Sequence, residues 1–250
     1  MREDRGLLET WGADDVAQRF ASASAQTVIA WALEQWGPRI AVCTSFQAEG
    51  MVILDMAWRI DPKVRVFTVD TGRLPQETYD IMERVRERYK IEVEVFFPDP
   101  RQVEAMVRGY GPNLFYKSVE ARMWCCHVRK VEPMRRALDG LEAWITGLRR
   151  DQSTSRTLIN KIELDAEHGG LMKLNPLCDW TSDQVWHYIA TYNVPCHRLY
   201  QQGYTSIGCA PCTRPTQLGD DVRAGRWWWE QNAVKECGIH GHASAGRGAC

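Results

Sequence analysis

Two groups of residues in this chain have types and spacings that suit chemistry. The first is Cys237, in the stretch NAVKECGIHGHASAGRGAC near the C-terminus. Cysteines that only fill a core sit among apolar neighbours, whereas Cys237 follows Lys235 and Glu236 and precedes Gly238, with His240 three residues on. Such a setting is that of a reactive thiol, since the thiolate is a soft nucleophile. The second group is four further cysteines. RMWCCHVRKVEP places Cys125 and Cys126 side by side, and IGCAPCTRP adds Cys209 and Cys212 as a C-x-x-C pair. Pairs about eighty residues apart converge only through the fold, and four thiolates are the full ligand set of a structural zinc or an iron-sulfur cluster. Adjacent side chains diverge, which strains chelation of one small ion, whereas a cubane offers a separate iron corner to each thiolate. The spacing therefore favours a 4Fe-4S cluster and leaves zinc open. Lys130, four residues after Cys126 on a predicted helix, shares that ligand's face and would set a positive charge beside an anionic cluster.

Cationic side chains supply the complementary chemistry. Arg223 and Arg226 stand three apart in DDVRAGRWWWE, where a helix would put both guanidinium forks on one face for bidentate contact with phosphate or sulfate. A solvated basic face beside Trp227, Trp228 and Trp229 fits the same spacing. Arg149, Arg150 and Arg156 follow a predicted strand end, a place that suits anion ligands. Of the remaining thiols, Cys43 reads as a small core hydrophobe in a buried strand, Cys178 and Cys196 as buried or idle, and Cys250 as a stray or resolving thiol.

The elements that must position these groups follow from periodicity. Positions 14–36 carry apolar residues at helical spacing and stop at Gly37-Pro38. RIAVCTS (39–45), VRVFTVD (64–70), IEVEVFF (91–97) and AWITGLR (143–149) read as strands, and 47–60 and 75–90 as helices between them. Alternating strands and helices imply an α/β fold with an open, doubly wound, mainly parallel sheet. Ligands then bind beyond the carboxyl ends of the strands, among the loops at 44–50, 70–74 and 147–156. After about residue 195 the pattern fades into Gly, Trp, Arg and Cys, an irregular extension placed to cover that crevice.

With 250 residues, 44% of them hydrophobic, the chain can bury one large core, and a net charge of −1 argues against nucleic acid or an anionic membrane as principal partner. The start MREDRGLLETWGADD has no apolar h-region and no stretch reaches the roughly 18 apolar residues of a membrane span. A soluble, cytoplasmic protein is expected, and in such a chain nine cysteines suit metal and thiol chemistry better than disulfides.

TSFQAEGMV (44–52), VDTGRLPQETY (69–79), WCCHVRKVEP (124–133), GLRRDQSTSR (147–156), NPLCDW (175–180), GYTSIGCAPCTR (203–214) and KECGIH (235–240) together resemble the assimilatory adenosine 5'-phosphosulfate (APS) reductases of the sulfonucleotide reductase family. The resemblance implies an adenine-nucleotide α-hydrolase-like fold related to the PP-loop pyrophosphatases. It implies reduction of APS to sulfite with release of AMP, in sulfate assimilation and cysteine biosynthesis. Carried over, Cys237 is the nucleophile that forms an S-sulfocysteine, and Cys125, Cys126, Cys209 and Cys212 hold one 4Fe-4S cluster. Lys130, Arg156, Arg223, Arg226 and His240 match positions around the phosphosulfate. Ser45 and the Asp70-Thr71-Gly72-Arg73-Leu74 turn match the nucleotide pocket. Thioredoxin, or a glutaredoxin-like protein, is the implied reductant. Residues 1–195 then form the nucleotide-binding reductase domain with its leading helix, and 196–250 an extension with the C-x-x-C pair, the arginines and a mobile catalytic tail. Relatives that use the 3'-phosphorylated substrate, PAPS, lack the cluster cysteines, so APS is the implied substrate and PAPS the alternative. A homo-oligomer is compatible with the sequence. Gly50, where many relatives carry an acidic residue, and His127 after the Cys pair depart from the family pattern.

Two other readings compete. A PP-loop ATP pyrophosphatase that thiolates tRNA would need an S-G-G-x-D-S loop, and TSFQAEG lacks the paired glycines. A metal-based redox sensor would leave Cys237 and the arginines without a task.

Overall fold

The computed structural model describes residues 13–230, 236, 238 and 239. Cys237, His240 and Cys250 lie outside the described residues. The leading helix expected over 14–36 is two helices, α1 (Ala13–Phe20) and α2 (Ala25–Trp36). Ser24 divides them by capping the second: its hydroxyl accepts from Thr27 N at 3.1 Å, and a capping serine takes extended rather than helical backbone.

From there strands and helices alternate: β1 (Ile40–Cys43), α3 (Ala48–Ile60), β2 (Arg65–Val69), α4 (Gln76–Tyr89), β3 (Val93–Phe96), α5 (Pro100–Tyr110), α6 (Val119–Cys126), a π-helical turn (His127–Val131), α7 (Glu132–Leu138), β4 (Ala143–Ile145), β5 (Ile162–Asp165), β6 (Leu171–Leu174) and α8 (Ser182–Thr191). The six strands run in the order β3-β2-β1-β4-β6-β5. All neighbours are parallel except β5, which returns antiparallel to β6 through a turn with Gly169 and Gly170 at positive φ. This is the open, mainly parallel sheet expected from the sequence. Strand order reverses beside β1, between β2 on one side and β4 on the other, and that switch point is where an open α/β sheet leaves a crevice.

Helices cover both faces. One face buries Val28, Ile29, Met51, Ile53, Leu54, Val185 and Ile189 from α2, α3 and α8 against Ile40, Val42, Val66 and Ile145. The other packs Met134, Ala137 and Leu138 of α7 on Ala41, Phe67 and Trp144. Strands buried on both faces read as short continuous apolar runs, which is why β1, β2 and β4 were visible. A third, smaller core gathers Met106, Leu114, Phe115 and Val128 around the four paired cysteines and Trp227. No helix among the described residues is long and apolar enough to cross a membrane.

Beyond residue 195 the chain forms 3-10 turns at Arg198–Gln202 and Ala210–Cys212 and otherwise irregular backbone. Contacts with the loop after β1 help to tie it to the rest of the fold. Ala48 N donates to Tyr200 Oη at 2.9 Å, and Gln47 Oε1 accepts from Ile207 N at 2.7 Å.

Candidate active site

A large pocket opens at the carboxyl ends of β1, β2 and β4, at the switch point of the sheet. The loop after β1 lines it with Thr44, Ser45 and Gln47, the loop after β2 with Thr71 and Leu74, and the loop after β4 with Gly147, Leu148, Gln152 and Arg156. The C-terminal extension closes it with Ser206, Ile207, Gly208, Arg223, Arg226, Glu236 and Ile239.

Close backbone approach builds its floor. A Cβ on Gly147 would sit 2.9 Å from Gly50 N and from Glu49 Cβ, so only glycine lets the end of β4 meet the start of α3. A side chain at Gly50 would in turn meet Thr44 Oγ1 at 2.7 Å. Phe46, buried beneath the β1 loop, holds φ at 58°, in the left-handed region. Strain of that kind in a residue other than glycine persists where surrounding packing compels it, and it concentrates at functional loops.

Lys130, Arg156, Arg223 and Arg226 all line the pocket. Arg156 arrives from the loop after β4, as expected, whereas the Arg223–Arg226 pair arrives by another route. Arg223 and Arg226 lie on consecutive turns, not a helix: Arg226 pairs in an isolated bridge with Thr213, and Trp227 takes φ of 41°. Arg226 lies flat over Gly208, where a Cβ would be 2.3 Å from its Nη2, and donates through Nη1 to Ser206 Oγ and Ile207 O at 3.3 Å. Its Nε is buried without a partner. The loop after β4 divides its arginines. Arg149 is buried against Glu49 and Asp151, and Arg150 donates to Ile159 O at 2.9 Å, so both hold the loop, while Arg156 lines the pocket. Arg149 and Arg150 do not line the pocket, so the expectation that they serve as anion ligands gives way to a structural role.

The Asp70–Leu74 turn is split in the same way. Thr71 and Leu74 line the pocket. Asp70 builds the turn, accepting from Gly72 N at 2.7 Å and from Tyr79 Oη at 3.1 Å. Burial and that carboxylate push the Tyr79 phenol up to about 12. Gly72 supplies a positive φ, and Arg73 points to the neighbouring cysteine cavity over the Phe115 ring. Cys43, expected in the core, reaches the pocket lining from the last position of β1. Cys178 is buried, and burial pushes its thiol up to about 11.

Cys125, Cys126, Cys209 and Cys212 line one cavity beside the pocket, with Arg73, Arg122, Arg129, Lys130 and Trp227 around them. The π-helical turn begins directly after Cys126, and its wider winding carries both Arg129 and Lys130 to the cavity. Lys130 lines the cavity and the pocket alike. Thr71 is a second link. Its Oγ1 accepts from Arg73 N at 3.2 Å and is hydrogen-bonded to Cys209 Sγ, also at 3.2 Å. Burial raises the Cys125 thiol and pushes Cys212 up to about 12. Among the described residues no group of three or more His, Cys, Asp or Glu side chains is placed to hold a metal ion as it stands. Two buried nitrogens without a partner, Arg129 Nε and Trp227 Nε1, belong to residues that line the cavity, and such donors suit an anionic, sulfur-rich group.

Glu236, the residue before Cys237, is anchored in the pocket. Arg156 grips the Glu236 carboxylate with both prongs, Nε to Oε1 at 3.0 Å and Nη2 to Oε2 at 2.9 Å. Arg223 Nη2 and Ser155 Oγ reach the same carboxylate at 3.3 Å. Arg122, itself fork-paired with Glu230 at 2.9 Å, donates to the Glu236 carbonyl at 2.8 Å. Gly238 follows with φ of 83°, and Ile239 lines the pocket again.

Comparison with known proteins agrees with this geometry. The phosphoadenosine phosphosulfate reductase domain profile matches residues 39–215. An adenosine 5'-phosphosulfate reductase of Allochromatium vinosum is 49% identical over 201 residues, 80% of this chain and 78% of that protein. The crystal structure of phosphoadenylyl-sulfate reductase from Candida auris superposes with a TM-score of 0.69 at 30% identity, covering 80% of this chain and 94% of that one. FMN adenylyltransferase from Candida glabrata shares the fold alone, with a TM-score of 0.55 at 17% identity over 92% of this chain and 78% of that one. The matched residues 39–215 include the sheet, the pocket loops and all four paired cysteines, and the chain therefore belongs to the phosphoadenosine phosphosulfate reductase domain family.

Proposed function

We propose that this protein reduces adenosine 5'-phosphosulfate to sulfite and AMP in sulfate assimilation and cysteine biosynthesis, with Cys237 as nucleophile. One observation carries the reading: a switch-point pocket lined by Lys130, Arg156, Arg223 and Arg226 is closed by Glu236 and Ile239, which flank Cys237 in sequence. APS contains a mixed phosphate-sulfate anhydride. The Cys237 thiolate attacks the sulfur, the S–O bond to phosphate breaks, and the electron pair leaves on AMP. The four cations favour the thiolate and hold the charge that develops on the phosphate. The enzyme is left as S-sulfocysteine. A thiolate of thioredoxin, or of a glutaredoxin-like protein, then attacks the Cys237 sulfur and releases sulfite, and the partner's second cysteine resolves the mixed disulfide. Both thiol steps need a reducing compartment, which favours the cytoplasm.

The paired cysteines suit a 4Fe-4S cluster. Cys125, Cys126, Cys209 and Cys212 would hold it, Arg129 Nε and Trp227 Nε1 have no other acceptor, and a cubane spans more space than a single ion. Bound there, it would contribute a fixed array of negative charge rather than the reducing electrons. Lys130 faces both cavities and would keep its charge oriented toward the substrate's anionic end.

The test is anaerobic turnover with APS and, in parallel, PAPS, with thioredoxin supplied and sulfite and nucleotide measured. Sulfite and AMP from APS are expected. Turnover of PAPS at an equal or higher kcat/KM would move the substrate assignment to the 3'-phosphorylated nucleotide, and sulfite from neither would overturn the reading.

Gly208→Ala gives an independent check on the anion site. Its Cβ must push the buried Arg226 guanidinium aside, so KM for APS should rise about tenfold, equivalent to the loss of about one charge-assisted contact, with kcat changed less. Unchanged KM in folded protein would remove Arg226 from the pocket's anion ligands.

A further inference from the structure

The Glu236 carboxylate is built into the pocket as an anion. Both prongs of Arg156 meet its two oxygens, and Arg223 and Ser155 add a third and fourth donor. These two arginines are also half of the cation set assigned above to the substrate, on which reading this inference rests. A guanidinium fork accepts one bidentate oxyanion on a given edge. A phosphate or sulfate group presents the same paired oxygens as a carboxylate. We propose that Glu236 is an internal stand-in for the nucleotide's anionic end, and that its carboxylate and the bound nucleotide compete for Arg156 and Arg223.

The competition concerns the side chain of residue 236 and spares its backbone. Arg122 holds the Glu236 carbonyl at 2.8 Å, and Arg122 is fixed by the buried Glu230 carboxylate and by the Trp227 ring 4.5 Å from its guanidinium carbon. Residue 236 is thus held at its carboxylate and at its carbonyl, and an incoming anion contests the first. The remaining anchor keeps residue 236 at the pocket, and loss of the other loosens it. Glu236 is therefore a positioning residue that couples nucleotide occupancy to the mobility of the nucleophile's segment.

The test uses the full-length, cluster-loaded protein and AMP as the probe. Glu236→Gln should bind AMP about tenfold more tightly than the native protein, since the competitor's charge is gone. Iodoacetamide labelling of Cys237, followed by peptide mass spectrometry without nucleotide, should be several-fold faster in Glu236→Gln, and Glu236→Asp should fall between the two. In the native protein, AMP itself should raise the labelling rate toward that of the Gln variant. Weaker AMP binding by the Gln variant would overturn the competition, as would slower labelling of native Cys237 with AMP bound, because either means that carboxylate and nucleotide sit together. Failure of AMP to bind either protein would instead strike the nucleotide reading, and the labelling rates without nucleotide would still decide whether Glu236 anchors the segment.

Discussion

Replacing Cys237 by serine is expected to lower turnover of APS by roughly four orders of magnitude or more while leaving nucleotide binding in place. The size of the effect follows from the division of labour in the pocket. On the proposed reading Lys130, Arg156, Arg223 and Arg226, which line the pocket, serve the anion whether or not a nucleophile is present, so AMP affinity should change less than about threefold. Among the described residues no other thiol is placed to take over. Cys43 reaches the pocket lining, but it closes a sheet strand and is packed against the core around Ala41 and Phe67, and Cys178 is buried with its thiol raised. Intact-mass spectra of protein exposed to APS without reductant separate the alternatives. Native protein should gain one SO3, removable by thioredoxin with release of sulfite, and Cys237→Ser should gain none. An adduct of equal yield on the serine variant would put the nucleophile elsewhere, and Cys43 would be the next residue to replace.

Much of this site was legible because its parts are chemical and local. Short buried strands announce themselves as apolar runs, so β1 to β4 and the loops beyond them could be placed. The paired cysteines needed only their spacing. Arg73 and Arg149 are harder, since an arginine beside a strand end has the same sequence signature whether it faces a ligand, a cysteine cavity or Glu49, and Arg129 lies on a helical run whose winding the sequence does not show. What decides among them is the direction of the backbone: an Asx turn at Asp70, a π-helical turn after Cys126, a tight approach at Gly147. Glu236 was read only as charged context for Cys237, although a carboxylate next to a nucleophile bound for an anion site calls for a compensating cation. Other misses did carry signals. Asp99-Pro100 caps and starts α5, Thr181 and Gln184 form the capping box of α8, and Gly169-Gly170 marks the β5–β6 turn.

Substituting Cys209 by serine is expected to remove the visible iron-sulfur chromophore together with bound iron and acid-labile sulfide, and to lower both Tm and turnover. The cavity explains why one ligand carries so much. Its wall concentrates Arg73, Arg122, Arg129 and Lys130, of which Arg122 is committed to Glu230. Without an anionic group the remaining cations lose their compensating charge, and Arg129 Nε and Trp227 Nε1 stay unsatisfied at a cost of about 1–3 kcal/mol each. The damage should also reach the pocket. Cys209 Sγ contacts Thr71 Oγ1, and the next residue, Ala210, donates its N–H to Arg73 O at 2.8 Å, so the C-x-x-C loop and the nucleotide turn move together. Lys130, shared by both cavities, loses its counter-charge in the same step. Cys196→Ser, which alters a partly exposed thiol outside both cavities, serves as control and should keep iron, sulfide and colour. If Cys209→Ser retained native iron, sulfide and Tm, the four cysteines would not be a cluster ligand set, and the cations around them would need another anion.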